Sequence, residues 1–306
     1  MSHLAPIYFY APGLKRYETA EFCQRNPAAF TAISVTAERC ALNCDHCQGQ
    51  LLRHMRPLGD GESLFSVAQG LARQGAKGIL VSGGAGPDGA VPLASLADEM
   101  ARLKAELGLR VLVHTGLVDR AQARALAEAG VDGALLDIIG APQTIAQVYH
   151  LAVGVEAYRR SLELLAEYGV PSMPHIVLGL HYGRFLGEEA ALAMVAAYPV
   201  AALVLVVLTP LADTPMEGVA PPPLAEIGAF FRQARATLPA MPILLGCARP
   251  LGEAKVAIDR LAVDAGLDGI AYPAEGTVRY ARRRGRRPVF SETCCALLPV
   301  EGDGAR

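Results

Sequence analysis

The chain has 306 residues, 52% of them hydrophobic and 19% charged, with a formal net charge of -2. That apolar content fills a large core and excludes a disordered protein, and the near-neutral balance offers no global attraction to nucleic acid or to an anionic membrane. The length suits one α/β barrel better than a pair of ordinary domains.

The first six residues lack the basic start and long apolar core of a secretory signal, so the cytoplasm is the expected location. From about residue 30 short apolar runs alternate with amphipathic stretches. Strands are expected at 32–36, 78–82, 110–114, 133–137, 173–178, 202–207, 242–245 and 268–271. Most are apolar throughout, as strands buried on both faces must be. Between them Leu64, Val67, Ala68 and Leu71 share one helical face, and Tyr158, Leu162 and Leu165 repeat the pattern. Gly75, Gly108, Gly130, Gly169 and Gly266 stand where such helices should stop. Residues 190–212 carry no charge, but Pro199 and Pro210 interrupt them, so they read as a buried helix and strand rather than a membrane span. The arginine-rich run at 282–287 reads as a solvated helix end.

Eight strand–helix units with short loops predict an α/β fold of the (βα)8 TIM barrel type, with an open doubly wound sheet as the alternative. The chain is expected to be a single domain, 1–306. Residues 31–285 form the barrel, 1–30 an N-terminal extension and 286–306 a C-terminal tail. In such barrels the site lies at the C-terminal ends of the strands. Ser82, Gly83 and Gly84 end the second strand, His114 the third and Asp137 the fourth. Gly179 and His181 follow the fifth, Thr209 the sixth and Cys247 the seventh.

Seven cysteines, an odd number, point to metal ligands or buried thiols rather than disulfides in a cytoplasmic protein. Cys40, Cys44 and Cys47 crowd the loop after the first strand as Cys-x3-Cys-x2-Cys. Three thiolates there suit three irons of a [4Fe–4S] cluster and leave the fourth iron open to chelate S-adenosylmethionine (SAM). Zinc is the rival, with His46 as a strained fourth ligand in the same tight loop.

That motif, with an aromatic ring before its last cysteine, resembles the radical SAM superfamily, His46 taking the aromatic position. The resemblance implies a 5′-deoxyadenosyl radical enzyme. It also implies SAM contacts from Ser82, Gly83 and Gly84, although the acid of the family's Gly-Gly-Glu-like segment is Ala85 here. Ile176 and Gly179 match part of the family's adenine segment, with Glu188 further on. His114 and Asp137 are expected to bind SAM or substrate, His175 to line the interior, and His181 and Tyr182 to act from a loop.

The stretches 10–17, 32–36, 113–119, 174–183 and 245–250, with the pair Cys294 and Cys295, resemble the biotin and lipoyl synthase-like branch. Closest is a component of the two-protein lipoyl synthase system of archaea and some sulfur-oxidising bacteria. This implies sulfur insertion into an octanoyl chain on a lipoyl-carrier protein, with a companion radical SAM synthase and an electron donor such as ferredoxin or flavodoxin. It also implies a second [4Fe–4S] cluster on Cys247, Cys294 and Cys295, its fourth ligand Arg249, a serine such as Ser291, or substrate. The basic run at 282–287 is placed against an acidic carrier domain. The residues alone leave other readings open: Cys247 as a small buried residue, Cys294 and Cys295 with side chains pointing apart, Cys23 as structural. A biotin-synthase-like or hydrogenase-maturase-like enzyme, or a non-catalytic iron–sulfur or zinc protein, are the alternative functions.

Overall fold

The computed structural model describes residues 4–297. Its strands are β1 (Pro6–Tyr10), β2 (Phe30–Ser34), β3 (Arg56–Pro57), β4 (Gly78–Ser82), β5 (Arg110–His114), β6 (Gly133–Asp137), β7 (Ser172–Leu178), β8 (Leu203–Val207), β9 (Ile243–Leu245), β10 (Gly269–Ala271) and β11 (Arg287–Ser291). They form one sheet in the order β11-β1-β10-β9-β8-β7-β6-β5-β4-β2-β3. Every neighbouring pair is parallel. The eight expected strands are β2 and β4 to β10, side by side in chain order. Each therefore returns through a helix on the outside of the sheet, which is the TIM-like α/β arrangement.

Among the described residues the barrel is not closed by a strand ladder. The sheet edges are β3 and β11, and the seam between β1 and β2 is spanned by a backbone bond from Gly13 N–H to Phe30 O at 2.8 Å. The two terminal extensions also do more than pack on the barrel, because β1 and β11 add strands to it. Proline opens β1 and stands second in β11, positions where a lost N–H costs little, and the arginines before β11 disguise an edge strand. The first expected strand runs two residues earlier than read. Val35 N–H turns to Ser82 O at 2.8 Å, and Ala37 enters the left-handed region at φ 52, so the ladder stops at Ser34.

Strand residues alternate between two cores. Leu112, Leu135, Met173, Val204, Val206 and Leu244 point into the lumen with Tyr10, Phe30 and Tyr272. Val111, Val113, Ala134, Leu136, Ile176, Leu203 and Leu205 point outward into the layer beneath the helices. Full burial of one such Val, Leu or Ile contributes roughly 1.5–3 kcal/mol, so both layers hold the sheet. The helices that matter for the site are α4 (Pro142–Val148), α5 (Glu156–Glu167), α6 (Glu188–Ala196), α8 (Glu253–Asp264) and α9 (Thr277–Arg283). Gly75, Gly108, Gly130, Gly169 and Gly266 all have φ between 62° and 86° just after a helix, the left-handed stop their spacing implied. Residues 190–212 fold into most of α6 and all of β8, and among the described residues no helix is long and apolar enough to cross a membrane.

Candidate active site

All strands point the same way, so the loops after β2, β4, β5, β6, β7, β9 and β10 meet at one mouth. Cys40, Cys44 and Cys47 lie in the loop after β2; Cys44 is buried, its two companions half-buried. Left-handed turns at Asn43 (φ 48) and Gln48 (φ 44) bend the backbone tightly, and Cys44 O accepts from Cys47 N–H and Gln48 N–H at 3.1 and 2.8 Å. In the metal-free chain the Cys44 thiol donates to Cys47. That bond, aided by His46, holds Cys47 down at about 4 against its burial, and the same bond pushes Cys44 far up.

The loop rests on the segment after β4. Ala41 N–H bonds Ala85 O at 2.8 Å, and Gly84 N–H bonds Thr36 Oγ1 at 2.7 Å. A Cβ on Gly84 would lie 2.0 Å from Arg39 O and 2.6 Å from Cys40 Cβ, so only glycine lets this backbone reach the cysteine loop. Gly83 presses on Thr36 and Ser82 is buried. The Ser82–Gly83–Gly84 segment is thus a backbone shelf under the cysteines.

Deeper in the mouth the ring of His46 lies 5.2 Å from Tyr149, whose hydroxyl donates to Asp137 Oδ2 at 2.9 Å. Asp137 Oδ1 lies 4.0 Å from His114 Nε2, and the rings of His114 and His175 are 5.6 Å apart. Asp137 thus holds Tyr149 and faces His114. Burial, with His114 beside it, pushes His175 down to about 4. Burial also pushes His46 down, but Cys47, Asp137 and Asp45 outweigh it and leave the imidazole raised.

On β7 the side chain of Ile176 is buried in the outer layer, so this position can offer SAM only its backbone. Gly179 fares differently. Its N–H donates to Glu188 Oε1 at 2.9 Å, which joins two pieces that lie nine positions apart in sequence. Burial raises the Glu188 carboxyl. Two buried polar atoms here have no protein partner: His46 Nδ1 and Glu188 Oε2. Unpartnered buried polar atoms are costly and mark a place where another group belongs. Among the described residues no three His, Cys, Asp or Glu side chains converge as ligands of one bare ion do. What the loop offers is three thiols, a backbone shelf and these two atoms, a donor set suited to an iron–sulfur cluster and the amino acid that chelates it.

Across the lumen Cys247 follows β9, and the chain after β11 folds back so that Cys294, Cys295, Ala296 and Leu297 enter the lumen core. The Cys295 thiol is within hydrogen-bonding reach of both Cys247 and Cys294. That raises Cys295 well above the usual thiol range and lowers Cys247, which Arg249, Lys15 and Lys255 lower further. A turn closed by Leu297 N–H to Cys294 O at 2.9 Å spans the two adjacent cysteines. The Tyr10 hydroxyl, buried beside Cys295, has no partner.

Arg249 does not fit the role of fourth ligand. It is 2% exposed, and its guanidinium is spent on Asp259 Oδ1 (2.6 Å), Gly246 O (2.9 Å) and Tyr272 O (3.0 Å). Ser291 Oγ is engaged with Thr293 Oγ1 at 2.8 Å. The basic run also faces elsewhere. Arg286 bonds Pro6 O and Leu267 O, and Arg287 N–H bonds Ala5 O, so the run sits at the opposite end of the sheet from the mouth. It cannot steer a carrier domain to the cysteines. Cys23 is exposed in the N-terminal segment, where its backbone bridges to Glu18. Residues 298–306 of the expected tail lie outside the described residues.

No curated protein matches the chain. Among solved structures it is similar to methylornithine synthase (PylB), with a TM-score of 0.57 and 14% identity over 85% of this chain and 83% of that one. It is similar to the FeFe-hydrogenase maturase HydG from Carboxydothermus hydrogenoformans, with a TM-score of 0.60 and 15% identity over 93% of this chain and 68% of that one. It is also similar to SuiB of Streptococcus suis, with a TM-score of 0.54 and 12% identity over 75% of this chain and 52%–51% of that one across its forms with and without S-adenosylmethionine, the form without it giving the 0.54. At these identities the likeness shows the fold. The radical SAM superfamily model matches residues 34–193, more than half of the chain, from the end of β2 through the cysteine loop to α6. With the three-cysteine loop seated at the mouth of a parallel half-barrel, the chain belongs to the radical SAM superfamily of enzymes.

Proposed function

We propose that this radical SAM enzyme inserts sulfur, as a component of a lipoyl synthase system, with Cys40, Cys44 and Cys47 as ligands of the SAM-cleaving cluster and Cys247, Cys294 and Cys295 as ligands of a second one. The observation that carries it is the meeting of Cys247 with Cys294 and Cys295, from two distant segments, at the mouth that the cysteine loop also faces. When bound, the two clusters and SAM would supply reductive C–S cleavage, a 5′-deoxyadenosyl radical and sulfide for a new C–S bond.

The chain's own residues prepare the site for this. Lys15, Arg249 and Lys255 place positive charge beside Cys247, which offsets the anionic charge that three thiolates bring. Lys15 lies over the Tyr272 ring at 4.5 Å and holds that charge at the lumen wall. Residues 294–297 enter the lumen core from the end where β11 stops, and all four are buried. On the other side Glu188 holds the Gly179 backbone with one oxygen and keeps the second free to accept from a ligand. Tyr149, held by Asp137, supports His46 behind the cysteine loop. The substrate in this reading is an octanoyl chain on a lysine of a lipoyl-carrier protein. A companion radical SAM synthase adds the other sulfur, and ferredoxin or flavodoxin delivers the electron.

The test is anaerobic reconstitution with iron and sulfide counting and Mössbauer spectroscopy. Two [4Fe–4S] clusters give about eight irons, and Cys247/Cys294/Cys295→Ala should keep about four. Sulfur transfer to octanoylated carrier must then be lost in that variant. About four irons in the wild type would remove the sulfur source and with it the lipoyl assignment.

A further inference from the structure

We propose that Asp45 is a positioning residue: together with Tyr182 and His150 it latches the cysteine loop to the loops after β6 and β7, and so sets the direction in which the SAM-binding face of the site points. The inference rests on membership of the superfamily and does not depend on sulfur insertion.

Asp45 stands between Cys44 and Cys47 and is not itself a thiol ligand. Its side chain is only 14% exposed. Oδ1 accepts from His150 Nε2 at 2.8 Å, Oδ2 accepts from the Tyr182 hydroxyl, and the Asp45 N–H bonds Val148 O at 2.9 Å. One residue of the cysteine loop thereby holds two other loops by three bonds. His150 ends the segment that carries Tyr149, the partner of His46 and Asp137. Tyr182 belongs to the turn that begins at Gly179, whose N–H is held by Glu188.

Both partners are held in an unfavourable backbone conformation. His150 has φ 56 and Tyr182 has φ 50, the left-handed region that side chains with a Cβ seldom enter. Such residues persist only where the surroundings over-determine them, and they concentrate at functional sites. Here the over-determining group is one carboxylate. A loop needed only for chain connection would use glycine at these positions, as the same turn does at Gly179 (φ 76) and Gly183 (φ 81). The imidazole and the phenol are retained where glycine would fit the backbone better, and the contact they share is Asp45.

The consequence is mechanical. The thiols of Cys44 and Cys47 sit on either side of Asp45, so a shift of its carboxylate turns both. The β7 turn, with the unpartnered Glu188 Oε2 behind it, moves with the same carboxylate. Orientation of reacting groups within a fraction of an ångström controls rate and affinity, and supporting side chains that fix ligands commonly matter 10–100-fold.

The experiment uses the full reconstituted enzyme and SAM as the probe. SAM affinity is read from the change it causes in the EPR spectrum of the reduced cluster, beside iron content and melting temperature. Asp45→Ala should load iron as the wild type does and bind SAM about tenfold more weakly, which is ~1.4 kcal/mol. Tyr182→Phe, which removes one oxygen, should weaken SAM about fivefold with a melting point near that of the wild type. Asp45→Ala/Tyr182→Phe should be no worse than Asp45→Ala alone, because the two act as one unit. Asp45→Asn, which keeps one acceptor, should lie between the wild type and Ala. Unchanged SAM affinity and spectrum in Tyr182→Phe would overturn the proposal, and so would losses that multiply in the double variant. If Asp45→Ala fails to load iron, Tyr182→Phe alone decides on the same two readouts.

Discussion

Two groups of three cysteines follow C-terminal strand ends of this sheet, and they are built in opposite ways. Cys40, Cys44 and Cys47 come from one loop of eight residues, shaped by its own left-handed turns at Asn43 and Gln48 and propped on Gly84. Cys247, Cys294 and Cys295 come from two segments and meet only because β11 runs beside β1 and turns the tail inward. The first group is a property of local sequence. The second depends on β9, β1 and β11 bringing distant segments together. A local site tolerates damage to the far side of the barrel, and an assembled one does not.

The sharpest break between the two regions is a pair of single substitutions. Cys44→Ala should abolish SAM cleavage, measured as 5′-deoxyadenosine after anaerobic reduction, and on the two-cluster reading lower iron from about eight to about four per chain. On the proposed sulfur-insertion reading, Cys247→Ala should also lower iron to about four, yet retain measurable 5′-deoxyadenosine while sulfur transfer disappears. Equal loss of 5′-deoxyadenosine in both variants would mean that the two groups form a single functional unit, contrary to their separate construction.

The same contrast explains what the sequence made legible. The strands at 78–82, 110–114 and 133–137 match to the residue, because an unbroken apolar run between a helix-stopping glycine and a polar loop has one reading. The Cys-x3-Cys-x2-Cys loop was legible for the same reason: its meaning is carried by spacing within one loop. β11 carries Arg287, Pro288 and Ser291, and an edge strand need not be apolar, so its sequence does not announce a strand; β1 is apolar and flanked on both sides, but it stands outside the run of strand–helix units. The open seam was invisible, since closure depends on whether β1 and β2 pair and no local pattern records it. Arg249 was misjudged because its ion-pair partner Asp259 lies ten positions on in a helix, and nothing in the spacing marks that contact as buried. Asp45, His150 and Tyr149 went unremarked as a set, for their meeting is made by three loops that only the barrel brings together.

The assembled group can be weakened without touching a cysteine. Arg249 and Asp259 form an ion pair with both side chains fully buried, and Asp259 also accepts from Ala274 N–H at 2.6 Å and Thr277 Oγ1 at 3.1 Å. Removing one partner leaves a charge buried alone, which costs about 3–5 kcal/mol. Asp259→Ala should therefore lower the melting temperature by roughly 10 °C, given about 2–4 °C per kcal/mol for chains of this order. Because Arg249 also ties Gly246 to Tyr272, on the two-cluster reading the iron proposed at Cys247 should become labile to a chelator first, while the iron of the Cys40 loop stays. Arg249→Met/Asp259→Leu should recover much of the lost stability, since a buried pair replaced by apolar side chains of similar size is often neutral. Simultaneous release of both iron pools in Asp259→Ala would erase the distinction between a local and an assembled site.

A smaller effect tests the loop side of the mouth in the metal-free protein. Burial, with His114 nearby, holds His175 down at about 4, below the ordinary value of 6.5. Between those limits the unfolded chain binds a proton that the folded chain refuses, so unfolding gains as pH falls. His175 thus contributes stability that is fully present above pH 6.5 and is lost progressively as pH drops through about 4. His175→Asn keeps an N–H donor for Met173 O in place of the ring Nδ1 but cannot titrate. Denaturant unfolding of the two apo proteins should diverge least at pH 4 and most above pH 7, with the wild type showing the steeper dependence between. Parallel curves would mean that His175 is hydrated and free to charge, and that the lumen beside the cysteine loop is wetter than the packing of His114, His175 and Asp137 implies.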